Sequence, residues 1–277
     1  MQIGLVGLPN TGKTTLFNAL TRSKALVSNY SFTTIEPNVG IAHVPDARLK
    51  SLAEFFKPKK YTPATVEFVD IAGLSQGASR GEGLGNQFLG HIRNVDALVH
   101  VVRCFTDPTD PDNAPNAVDD EETLRTELLL ADLQSIGKQI ERVEREARKG
   151  TPEAKRRLTA LKAMEEHLSG GGLAKDLDEP EAHHETHLLT DKPVIYVANV
   201  DEKYAAGGCP EAARLKNALP AGSHVLEISA RIESELVDLA EEEREEFMRD
   251  LGIPEPGLDR LARDCYSMLN LISFLTV

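Results

Sequence analysis

Apolar residues come in short runs along this chain, and the runs alternate with stretches of helical periodicity. The runs are QIGLVG (2–7), VGIAHV (39–44), TVEFVD (65–70), ALVHVV (97–102), VIYVAN (194–199) and HVLEIS (224–229). All but the second are nearly continuous in apolar character, as strands covered on both faces of a parallel sheet must be. The second is expected at an edge. This alternation predicts an α/β fold, a mostly parallel sheet with crossover helices.

Residues 103–193, between the fourth and fifth runs, are far more than a crossover loop needs. The interval opens with TDPTDPDNAPNAVDDEE (106–122), whose Asp and Pro content predicts an exposed loop. Residues 123–150 and 151–168 then read as two helices, with Leu124, Leu128, Ala131, Leu133, Ile136, Ile140 and Val143 spaced by roughly three to four. Gly150 stops the first; Thr151 and Pro152 open the second as N-cap and first-turn proline. An antiparallel coiled-coil hairpin inserted at 120–170 is expected, with SGGGLAKDLDEP (169–180) breaking the helix before the sheet resumes. The parent domain then comprises 1–105 and 190–277. Further on, LAEEEREEFMRDLG (239–252) predicts an acidic, exposed helix face, and 258–275 an amphipathic helix running into a short strand.

The first run leads into Gly7-Leu8-Pro9-Asn10-Thr11-Gly12-Lys13-Thr14, a complete G-x-x-x-x-G-K-[ST] loop between a predicted strand and helix. In such a P-loop the glycines let backbone N–H groups curl round phosphates, and the helix N-terminus adds positive potential. Asn10, Thr11, Gly12, Lys13, Thr14 and Thr15 are the candidate phosphate-binding residues. Lys13 can reach the β- and γ-phosphates, and the Thr14 hydroxyl can ligate Mg²⁺. Asp70 ends the third run and is a candidate to hold Mg²⁺, usually through water, while the Gly73 N–H could bond the γ-phosphate. NYSFTTIEPNVG (29–40) lies where a γ-phosphate-sensing loop belongs, with Thr34, or else Thr33, as a further Mg²⁺ ligand. SQGASRGEGLGNQF (75–88) is rich in Gly and Ser and suits an order–disorder switch. Leu74 stands where many GTPases carry a water-orienting glutamine, so unaided turnover is expected to be slow.

At the base end the fifth run closes on Asn199, followed by Val200 and, at 202, a glutamate where an N-K-x-D protein has aspartate. Aspartate accepts the N1–H and N2 amino group of guanine together; the longer Glu202 does not hold that geometry and is free to turn towards solvent. Val200 replaces the lysine that flanks the base. An asparagine amide suits the donor–acceptor edge of adenine as well, so guanine selectivity is weakened and either base remains open.

Charge and composition alter this picture in places. The net charge is −13, which speaks against a wholly basic nucleic-acid binder, yet 142–162 holds eight Lys/Arg against three Glu. Arg145, Arg148, Lys149, Lys155, Arg156 and Arg157 cluster about the hairpin turn, read from the residues alone as a solvated helix surface, with a contact for RNA phosphates as the alternative. His183, His184 and His187 in HHETH read as solvated rather than metal-binding. Three scattered cysteines fit a reducing cytosol, no apolar run is long enough for a membrane span, and the N-terminus lacks the features of a signal peptide. A cytoplasmic monomer is expected.

GLPNTGKTTLFNAL, NYSFTTIEPNVG, DIAGLSQGASRGEGLGNQFL, VVRCF, NVDE and SARIESEL together resemble the YchF subfamily of Obg-like P-loop proteins, and the resemblance runs through most of the chain. It implies an ATP-preferring NTPase with a coiled-coil insertion, associated with the ribosome and with translation or stress control. It also implies that Asn199 contacts adenine and that Ser229 and Ala230 form the loop behind the base. The chain departs from the pattern at Ser31, where the family tends to proline, and 106–122 holds no histidine to serve as a hydrolytic base. The family continues into a TGS domain, which is expected to be absent or truncated here, with 270–277 as its start. A GTPase of the same fold and an RNA-binding adaptor with a structural nucleotide are the rival readings.

Overall fold

The computed structural model describes residues 1–22, 38–71, 84–107, 113–148, 150–184 and 186–275. In chain order the elements are β1 (Gln2–Val6), α1 (Lys13–Arg22), β2 (Asn38–His43), α2 (Ala47–Phe56), β3 (Thr65–Asp70), α3 (Leu84–Asn94) and β4 (Ala97–Cys104). There follow α4 (Ala117–Ala147), α5 (Pro152–Ser169), α6 (Pro180–His183), β5 (Val194–Val200), α7 (Pro210–Ala218), β6 (His224–Ile228), α8 (Ala230–Asp238), α9 (Glu241–Leu251) and α10 (Gly257–Met268).

The described residues fall into two compact units. The first takes in Met1–Gly73, Val95–Asp120 and Pro193–Val277. It holds a six-stranded sheet in the order β2-β3-β1-β4-β5-β6, parallel except for β2, which pairs antiparallel with β3 at the edge. The expected edge position of β2 is thus met. β1 lies between β3 and β4, so the chain crosses to both sides of it. In sheets of this order ligands bind outside the C-terminal ends of the strands, at the point where the chain changes side. Register puts Leu5 opposite Asp70, Arg103 opposite Asn199, and Asn199 opposite Ile228, so the ends of β3 and β5 share that one margin of the sheet. Ile3, Leu5, Leu16, Phe68, Val99, Val197 and Leu261 make up much of the core that holds it.

The second unit takes in Leu74–Asn94 and Glu121–Lys192. Leu129, Ile136, Ile140 and Val143 of α4 bury against Ala160, Leu161, Met164 and Leu168 of α5, the seam of a helical hairpin. Gly150 turns the chain at φ 91°, and Lys162 Nζ reaches back to Glu144 Oε1 at 3.0 Å. Asp132, fully buried on α4, accepts from the N–H groups of Leu189 and Thr190 at 2.8 Å each and from the Thr190 hydroxyl at 2.7 Å. Burial pushes its carboxyl above the usual range, and those three donors act in the opposite sense.

Two expectations need correction. The loop predicted to run to residue 122 ends earlier, because α4 begins at Ala117. Asp119 and Asp120 occupy its first turn, where carboxylates face the positive end of the helix, and Asn116 Nδ2 donates to Asp119 Oδ2. Residues that read as loop-formers by composition are here helix-starters by position. The strand predicted at the end of 258–275 does not form: α10 stops at Met268, and Ile272 and Phe274 are exposed in irregular chain. Thr151 stands at the N-cap of α5 as expected, although its hydroxyl makes no capping bond.

Candidate functional site

The loop after β1 is shaped by two residues with positive φ, Asn10 at 62° and Gly12 at 83°. Such successive turns gather backbone N–H groups into a concavity suited to an anion. The Thr11 hydroxyl donates to Leu8 O at 3.1 Å, and Leu16 N to Gly12 O at 3.0 Å, which starts α1 directly from the loop. Gly7 has no room for a side chain, since a Cβ there would meet Val101 O at 2.5 Å. Lys13 forms an ion pair with Asp70 Oδ1, both side chains being less than a tenth exposed, and the Thr14 hydroxyl lies 3.5 Å from Asp70 Oδ2. Three predicted residues from β3 and the first turn of α1 therefore meet at one point.

The base end is built round a single amide. Asn199 Nδ2 donates to Thr11 O at 2.8 Å, and Asn199 Oδ1 accepts from Ala230 N at 3.0 Å. Asn199 and Ser229 are buried, and so is Val200. The amide ties the phosphate-binding loop to the start of α8, and each of its two polar atoms retains one further hydrogen-bonding capacity. A Cβ on Gly12 would lie 2.1 Å from Asn199 Nδ2, so the close approach demands glycine there independently of φ. Glu202 is not turned free into solvent: its Oε1 lies 2.9 Å from Arg231 Nη1, with both side chains about half exposed or more. Arg231 also approaches Glu235 at 3.5 Å.

The expected roles of Thr34, Gly73 and Leu74, like that of Lys149, fall outside the described residues. Arg145, Arg148, Lys155 and Arg156 are exposed about the hairpin turn, while Arg157 is half-buried, with Nη2 3.4 Å from His184 O. His183 is occupied structurally, Nε2 at 2.8 Å from Leu177 O and Nδ1 at 3.3 Å from Asp191. Its pKa is raised, chiefly by that Leu177 carbonyl. Among the described residues no three His, Cys, Asp or Glu side chains cluster as a metal site.

Two residues escaped the sequence reading. Arg231 lies only two positions after Ser229, but its pairing with Glu202 depends on how β5 and α8 are set side by side. Glu233, buried on α8, accepts from Gly257 N at 2.6 Å and Leu258 N at 3.3 Å, the first turn of α10. Burial drives its pKa up to about 7 against the pull of those two N–H groups. A glutamate in the first turn of a helix gave no signal of this.

Residues 2–145 match the family model described as 50S ribosome-binding GTPase. A Haemophilus influenzae protein, "Ribosome-binding ATPase YchF", is 46% identical over 99% of this chain and 77% of its own length. The chain belongs to the YchF family. A YchF from Bacillus subtilis with the same name is 44% identical over the same shares of the two chains. The solved "Structure of the Schizosaccharomyces pombe YchF GTPase" superposes with a TM-score of 0.83 at 31% identity, covering 98% of this chain and 76% of the YchF chain.

Proposed function

We propose that this chain binds ATP with Mg²⁺, hydrolyses it slowly, and uses the difference between its ATP and ADP states to control association with the ribosome. The observation that carries the reading is the convergence of Lys13, Thr14 and Asp70 beside a loop whose far side is tied to Asn199. The names of the Haemophilus and Bacillus relatives support the ATP and ribosome parts of it.

Lys13 would leave Asp70 for the β- and γ-phosphates and stabilise charge on the transferred group. The donors at this point, one hydroxyl and one carboxylate, are hard oxygens of the kind Mg²⁺ takes together with phosphate oxygens and water. Thr14 and Asp70 would hold the ion, with Thr34 as a further ligand and Gly73 bonding the γ-phosphate. The ion supplies charge neutralisation; backbone N–H groups of Asn10, Thr11, Gly12 and Thr15 bind and orient the phosphates. With leucine at 74, no glutamine orients the attacking water there, which supports slow turnover.

For the base, the spare donor and acceptor of Asn199 match adenine N7 and N6, and Ser229 and Ala230 back the ring. The Arg231 guanidinium partly neutralises Glu202 and holds it away from an aspartate-like grip on guanine. On the ribosome, the exposed cations Arg145, Arg148, Lys155 and Arg156, with Lys149 and Arg157, would contact RNA phosphates. The chain would act as a cytoplasmic monomer; among the described residues no helix is long and apolar enough to cross a membrane.

Calorimetric titration of nucleotide-free protein with ATP and with GTP, both with Mg²⁺, tests the reading. ATP should bind more tightly, and Asn199→Ala should lose the difference. GTP binding at least about tenfold tighter, roughly 1.4 kcal/mol, would replace it with a guanine switch.

A further inference from the structure

Helix α2 contributes no buried residue to the fold. Its last two residues, Phe55 and Phe56, are 79% and 51% exposed, their rings in edge-to-face contact with centroids 4.8 Å apart. Lys57 ends the helix in the left-handed conformation at φ 46°, its N–H on Ala53 O, and turns the chain outward into KPKKY. Lys57, Lys59 and Lys60 are exposed, and Tyr61 is 52% exposed. Residues 55–61 thus present three aromatic rings interleaved with three ammonium groups, on a protein of net charge −13. Rings left in water forgo the stabilisation that burial would give, which marks the face as a contact surface. The lysines set the sign of the partner.

Beside this face, Lys50 and Tyr61 line a cavity of about 700 Å³ that is lined also by Arg244 and Arg263 and by the carboxylates Asp46, Glu233 and Asp259. That mixed charged lining is unfit for an acyl chain, and its carboxylates leave the phosphate contacts to the exposed lysines outside it.

We propose that the end of α2 and residues 57–61 form a binding surface for single-stranded RNA. Phe55 and Phe56 stack bases, and Lys57, Lys59 and Lys60 pair with phosphates. Stacking on aromatic rings beside a cationic track is the general chemistry of single-strand binding. The surface stands on its own geometry and needs neither ATP binding nor the hairpin cations.

The test is fluorescence anisotropy of a labelled oligouridine against wild type, Phe55→Ala/Phe56→Ala, and Lys57→Gln/Lys59→Gln/Lys60→Gln, with ATP affinity measured separately by calorimetry. The aromatic pair variant should weaken RNA binding about tenfold or more. The lysine variant should weaken it too and reduce the slope of log K against log salt by about 2. Both should keep ATP affinity and melting temperature, because α2 holds nothing in the core. The proposal fails if wild type does not bind RNA at low salt. It also fails if binding survives both variants and is lost only in Arg145→Ala/Arg148→Ala. Loss in the variants of anionic-vesicle binding or of self-association, with RNA binding unchanged, would overturn it in favour of a membrane or a second copy of the chain.

Discussion

The two ends of the candidate nucleotide site are built in different ways. At the phosphate end, Lys13 at the start of α1 forms a buried pair with Asp70 at the end of β3, and the loop before α1 is turned by its own Asn10 and Gly12. At the base end, one amide bridges two loops distant in sequence, and the acidic residue beside it is half exposed and held by an arginine from a helix. Each half of the phosphate end nevertheless carries its own short sequence signature. The proposed base end is built from remote parts, and on the proposed reading nucleotide choice is made there.

The sharpest way to break this contrast is Lys13→Ala. Hydrolysis should fall by about a hundredfold or more, as for removal of a donor that stabilises developing charge. Single-turnover phosphate release reads it, and a loss below tenfold would deny the phosphate end its dominance. Asn199→Ala comes next. It leaves Thr11 O and Ala230 N buried without their partner, at about 1–3 kcal/mol for each unsatisfied group, so melting should drop by several degrees and ATP affinity with it. A variant that lost affinity but kept its melting temperature would mean the amide reads the base without bracing the loops.

A third experiment asks whether α8, whose first residue Ala230 bonds Asn199, responds to pH. The folded pKa of Glu233, about 7, lies above its ordinary 4.5, so the folded state holds the proton more tightly. Its contribution is fully present below 4.5 and fades as pH rises through 7. Thermal melts of wild type should lose stability across that window, by at most about 1.4 kcal/mol per pH unit, relative to Glu233→Gln. Parallel curves for the two proteins would remove Glu233 from the account. The smallest effect is expected from Arg231→Ala. An exposed ion pair contributes about 1 kcal/mol at most, so freeing Glu202 should move the ATP-to-GTP affinity ratio towards GTP by no more than about fivefold. A larger change would make this pair, rather than Asn199, the main selector.

What could be read in the sequence follows the same division. The phosphate loop, Asp70 and the edge position of β2 were legible, because each is declared by neighbours within a few residues. Asn199 was legible as a strand-end polar residue, but its bonds to Thr11 and Ala230 were not, since they exist only once β1, β5 and α8 are side by side. Glu202 read as free for want of its partner, and Arg231 has no local motif to announce it. The Asp-rich stretch before α4 misled because composition says nothing of position: the same carboxylates that favour loops also favour a helix's first turn.

The contact between Gly12 and Asn199 joins the two ends of the candidate site. A side chain at 12 would collide with the amide at 199, and a shorter residue at 199 would leave two buried polar groups stranded. Each position therefore constrains the other: the space that a glycine leaves at 12 is the space the amide at 199 fills.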